Sequence, residues 1–180
     1  MALGTVFVGL LRACEALRER LRELSLTVIE DRPAQGEVLL VERLGDLVAG
    51  LTGWAEEAVQ AAAQARQAAE FPPDFSRARA ALATLDEVLI RARYGFFGGP
   101  LHDEMLAGLR RFGRERGREW LSWTGGVAEA LEACRPCFRT ADEALAQAWV
   151  ELSERLAARG IMLTNTNVGK LAVAAPQAGE

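Results

Sequence analysis

Histidine is nearly missing from this chain. His102 stands alone in 180 residues, too little for general acid–base catalysis. The carboxylates of Asp103 and Glu104 beside it suit the start of a short helix, where acidic side chains meet the positive end of the helix dipole. Cysteine is scarce as well: Cys14, Cys134 and Cys137 are too few for a disulfide framework and fit a reducing compartment. No Gly-rich phosphate loop of Walker type and no nucleophile elbow occurs. No apolar run is long enough for a bilayer: Met1–Leu11 is ended by Arg12, well short of the ~20 residues a spanning helix needs. That run also has no basic region before it and no small-residue cleavage site after it, so it makes a poor signal peptide. Of 21 basic residues only Lys170 is a lysine, a bias that fits the coding preference of a GC-rich genome. The net charge of −4 gives no overall attraction to nucleic acid or to an anionic membrane. An enzyme is not expected, nor a cofactor, and the expected location is cytoplasmic.

What is present is helical periodicity. Half the residues are hydrophobic and 26% are charged, the balance of a globular protein with room for one domain. Leu3, Phe7, Leu10, Cys14, Leu17, Leu21 and Leu24 alternate spacings of four and three, which predicts a first helix over Leu3–Leu24. Leu26–Glu30 is β-branched and short, Leu26–Pro33 has no assigned role, and Asp31-Arg32-Pro33 with Gly36 marks a turn. A second helix is expected over about Glu37–Ala69, striped by Leu40, Leu44, Leu47, Leu51, Trp54, Ala58 and Ala62. Gly45, Gly50 and Gly53 within it suggest close helix–helix contact. Its alanine-rich last third, Ala61–Ala69, reads as held by propensity more than by burial.

Phe71-Pro72-Pro73 stops that helix, and Asp74 or Ser76 can cap the next. Phe75, Ala78, Leu82, Leu85, Leu89 and Ala92 stripe a third helix, which fails at Tyr94–Pro100. A short helix over Leu101–Phe112 leads through Gly113 and Gly117 to one long helix from about Arg114 to Arg159. Trp120, Trp123, Val127, Leu131, Cys134, Phe138, Ala141, Leu145, Trp149, Leu152 and Leu156 line one side of it. The stripe keeps phase across Pro136, so the proline reads as a kink, and Gly160 reads as the C-cap. The fold class is all-α: an antiparallel four-helix bundle plus one short helix, residues 1–160, with an extended β-prone tail over 161–180.

Cys134-Arg-Pro-Cys137 has the outline of a redox motif, but the core stripe runs through it and no strand precedes it, so it reads as packing. A zinc site from Cys14, Cys134, Cys137 and His102 rests on a single C-x-x-C pair and is not assigned. Seven arginines against Asp103, Glu104 and Glu115 in 91–118 form a solvated face. Alternatively they form an anion-facing patch of Arg110, Arg111, Arg114 and Arg118, with anionic lipid ahead of nucleic acid because aromatics and glycines interleave it. At the ends, Leu3, Val6, Phe7 and Leu10 are the candidates for membrane insertion. Leu163, Asn165, Asn167, Val168 and Gly169 are the candidates for tail interaction, through stacked strands or β-augmentation of a partner.

An apolar N-terminal helix start, a helical bundle and a C-terminal Asn/Thr/Gly strand together resemble the HeLo-like domains of fungal cell-death effectors and the bacterial Bell domains. Asn167-Val168-Gly169 loosely echoes the Gln-hydrophobic-Gly core of RHIM-like motifs, with Thr166 where an aliphatic residue is usual. The resemblance implies a non-enzymatic cell-death effector in prokaryotic immunity. Such a bundle perturbs membranes when a sensor engages its amyloid-like tail, and it becomes membrane-associated on activation. Implied partners are a protein at the tail, a membrane and further copies of the chain. The alternative is a helical adaptor that docks a larger assembly through its tail and never meets lipid.

Overall fold

A computed structural model describes residues 2–30, 32–33, 38–161, 163–167 and 170–173, with Val38 and residues 163–167 and 170–173 described by backbone alone. Five helices account for the body: α1 (Leu3–Ile29), α2 (Val38–Ala68), α3 (Phe75–Ala92), α4 (Pro100–Arg116) and α5 (Arg118–Ala157). The protein is all-helical in character. α1 packs on α2 and α5, α2 on α3, and α4 on α5. The stripes read from the sequence face inward. Leu3, Phe7, Leu10, Cys14, Leu17, Leu21 and Leu24 are buried on α1, and Trp123 through Leu156 are buried along α5.

Several boundaries and roles differ from expectation. α1 continues through Leu26–Ile29 because Val28 falls in phase with Leu21 and Leu24 and is buried with them. Packing there outweighs the lower helix propensity of β-branched residues, and the Thr27 hydroxyl donates to the Glu23 carbonyl at 2.9 Å. In α2 the alanine-rich end is core: Ala61, Ala62, Ala65 and Ala68 are buried. The glycines expected at close contacts are not there, since Gly45, Gly50 and Gly53 are exposed with open space where a Cβ would sit. The crowded glycine is Gly113, whose Cβ would press on the Thr124 hydroxyl and lie 3.1 Å from Leu121 Cα. Gly117, with φ +104°, separates α4 from α5, so Arg114 and Arg116 belong to α4 and not to the long helix. α5 nevertheless runs 40 residues and continues through Pro136.

Asp74 supplies the cap of α3, its carboxylate accepting the Arg77 N–H at 3.0 Å. Where the sequence indicates that helix three fails, the backbone instead widens into a π turn over Arg93–Phe97. That turn seats Phe96 and Phe97 in the core, Phe97 stacking on Phe138 of α5 at 4.8 Å. α5 closes in a Schellman motif: the N–H groups of Ile161 and Gly160 bond to the carbonyls of Leu156 and Ala157, with Gly160 at φ +79°. Beyond it the backbone forms antiparallel strands β1 (Leu163–Asn167) and β2 (Lys170–Val173), Leu163 opposite Val173, with a register irregularity between Asn165 and Asn167.

Candidate functional sites at the two ends of the body

Thr27 of α1 lies against Gly126 of α5, and Leu121 and Thr124 of α5 lie against Gly113 of α4, while Leu40 of α2 and Phe112 of α4 line one groove. One end of the body therefore gathers the end of α1, the start of α2, the end of α4 and the start of α5. The opposite end gathers the start of α1 with the end of α2, where Ala2, Gly4 and Val8 face Arg66 and Ala69. It also gathers the start of α3 with the end of α5, where the Arg159 guanidinium lies 4.4 Å from the Phe75 ring centroid. A 27-residue helix is roughly 40 Å long, and that length separates the two ends.

The arginine end holds all four arginines expected to face anions, each exposed. Arg110 is held by Glu132 at 3.1 Å. Arg111, Arg114 and Arg118 form no ion pair among the described residues. Arg116, beside them, lies over the Phe112 ring at 5.0 Å, and Phe112, Trp120 and Trp123 meet edge to face. A groove of about 350 Å³ runs between Leu40, Leu101, Met105 and Phe112, with Arg111 on its rim. Leu26, Ile29, Leu39 and Leu121 are exposed around this end.

The tail end holds the residues assigned to membrane insertion. Leu3, Val6, Phe7 and Leu10 are built into the core, Phe7 and Leu10 completely. Here too is a groove of about 500 Å³ between the start of α3 and the end of α5, lined by Phe75, Arg79, Leu156 and Ile161. β1 runs beside α5 and β2 beside α3. Of the tail candidates, Leu163, Asn165 and Asn167 lie on β1 by backbone, while Val168 and Gly169 fall outside the described residues. The four arginines and the apolar start of α1 thus occupy opposite ends of the body. Sequence spacing could not place them relative to each other.

His102 is fully buried between Phe96 and Phe97. Its Nε2 faces the Leu131 carbonyl at 3.3 Å and its Nδ1 makes no hydrogen bond among the described residues. Burial, and secondarily Arg135, lower its pKa, with the Leu131 carbonyl and Asp103 acting in the opposite sense. Cys14 and Cys134 are buried, and burial pushes both thiols up to about 12. Cys137 is half-buried. No group of three or more metal-binding side chains occurs among the described residues, and no described helix is long and apolar enough to cross a membrane. Sequence reading missed Arg20, whose guanidinium on α1 is near enough to Cys137 to act on it electrostatically, because nothing in the spacing pairs α1 with that turn of α5. It also missed the buried carboxylates Asp86 and Glu151, the latter bonded to Gln147 at 3.2 Å. Compared with known proteins, the chain matches no family model, and no curated protein or solved structure is significantly similar to it.

Proposed function

We propose that this chain is a non-enzymatic signalling effector of prokaryotic immunity, a latent membrane-perturbing body switched by a protein partner at its tail. Its body is read as an antiparallel four-helix bundle, a reading supported by the pairings of Thr27 with Gly126 and of Gly113 with Thr124. The observation that carries the functional reading is convergence: the apolar start of α1 lies at the end of the body from which the hairpin departs. A partner engaging the tail would bear on the region that holds α1 in place. Burial of four apolar side chains at about 1.5–3 kcal/mol each opposes release, so the resting state is closed. Membrane insertion of Leu3, Val6, Phe7 and Leu10 would have to recover that energy from the bilayer. The HeLo-like and Bell resemblance points the same way.

The adaptor reading, with no membrane step, is favoured by the complete burial of Phe7 and Leu10. Leakage of dye-filled vesicles separates the two. Leu10→Ala loosens α1, while Leu85→Ala places a similar cavity in α3. The effector predicts leakage that rises with Leu10→Ala well above the Leu85→Ala control. Equal leakage from both variants, or none from either, leaves the adaptor.

A further inference from the structure

We propose that Cys134 and Cys137 form an oxidisable dithiol, a modification site for hydroperoxides that closes to a disulfide within α5. Being three residues apart, the two side chains leave one face of the helix a turn apart. Cys137 is half-buried and open to a small oxidant, while Cys134 is fully buried behind it. From α1, the Arg20 guanidinium stands close enough to Cys137 to act on its sulfur electrostatically and is itself anchored on Glu23 at 3.1 Å. Pro136, between the thiols, has no N–H to give the Glu132 carbonyl, so the helix ladder is open at this turn.

That opening answers the geometric objection to a disulfide inside a helix. Cβ atoms three residues apart on a helix lie about 5–6 Å from each other, whereas a disulfide needs roughly 3.5–4.5 Å. The shortfall is small, and it falls where the backbone is least tied. The Cys134 thiol is closed off from solvent and donates to the Ala130 carbonyl at 3.3 Å, so an oxidant meets the outer cysteine first.

The chemistry balances with a hydroperoxide as the oxidant. Cys137 sulfur attacks the terminal oxygen and the O–O bond breaks. The sulfur is oxidised by two electrons to the sulfenic acid, and water or an alcohol leaves with the thiol proton. Arg20 is placed to hydrogen-bond the new sulfenyl oxygen. Cys134 then attacks Cys137: the S–S bond forms, the S–O bond breaks, and the oxygen leaves as water carrying the Cys134 proton. Cys14 is the built-in control, equally buried, with Glu15 as the charge acting on its thiol and no second thiol beside it.

The test treats the intact chain with hydrogen peroxide, quenches it, unfolds it and alkylates the remaining thiols. Of the three free cysteines, Cys14 alone should be labelled. Tryptic peptide 119–139, kept whole because Pro136 blocks cleavage after Arg135, should be lighter by two hydrogens. Cys134→Ser should leave a Cys137 sulfenic acid that a cyclic 1,3-diketone traps, and Cys137→Ser should abolish the reaction. Arg20→Gln, at an exposed position, should slow closure about tenfold, the factor carried by one hydrogen bond to a charged group, with Arg20→Lys partly restoring it. Three labelled thiols after oxidation overturn the proposal. So does loss of Cys14 at the rate of Cys137, or conversion of Cys137 to sulfinic acid without a disulfide. An unchanged rate in Arg20→Gln overturns the part given to the arginine.

Discussion

Two glycine-to-alanine substitutions in these helices should move stability in opposite directions, and the contacts around each set the sign. In a helix interior alanine is favoured over glycine by about 1 kcal/mol. At Gly53, exposed and with no atom within 4 Å of an added Cβ, that preference should appear nearly whole as a gain of up to about 1 kcal/mol. At Gly113 the same Cβ would meet the Thr124 hydroxyl, lie 3.1 Å from Leu121 Cα and 3.3 Å from Leu121 Cδ1. Thr124 cannot turn aside freely, because it is buried and its hydroxyl donates to the Trp120 carbonyl at 2.8 Å. Leu121 Cα is backbone, so α4 and α5 must separate. Overpacking of this kind costs about 1–3 kcal/mol, and a lost hydrogen bond about 1 more. Set against the helix preference, Gly113→Ala should destabilise by about 1–3 kcal/mol. Urea unfolding followed by circular dichroism reads both, and Gly113→Ala/Thr124→Ala should recover much of the loss. A Gly113→Ala chain as stable as the parent would refute the close approach of α4 and α5.

Local geometry sets three more outcomes. The depressed His102 pKa means that the folded state holds a neutral ring while the unfolded chain binds a proton below about 6.5. Stability from this group is therefore present above that pH and lost as pH falls through it, and His102→Leu should flatten the dependence in urea titrations at pH 5 and 7.5. Asp74→Ala removes the α3 cap and should cost about 1 kcal/mol, read from the same unfolding curves, while Ser76→Ala should be near neutral. Gly160→Ala forces a side chain onto φ +79° and should cost about 1–2 kcal/mol; Gly125→Ala, on an exposed face of α5 with open space around it, should not.

The helices were legible because apolar spacing records which face is buried whatever it is buried against. The α5 stripe and the Gly160 cap were readable for that reason. What spacing does not record is the partner. Ala61, Ala62, Ala65 and Ala68 carry too little hydrophobicity to announce themselves, yet neighbouring helices close over them. Gly113 and the three glycines of α2 look alike in sequence and differ only in what stands opposite. The π turn was invisible because Tyr94-Gly-Phe-Phe-Gly-Gly-Pro100 reads as a breaker until Phe96 and Phe97 find Phe138 and His102. The candidate sites suffered most: each set of residues was identifiable alone, but their placement at opposite ends depends on helix pairing.

The cap at Gly160 has a practical meaning for work on the tail. Two of the final carbonyls of α5, those of Leu156 and Ala157, already receive N–H groups within the motif, so these two acceptors owe nothing to the strands beyond it. A foreign segment spliced after Ile161 would inherit a finished stop rather than a frayed helix. Chimeras exchanging residues 162–180 between chains therefore keep the capped end of α5 whatever the graft does.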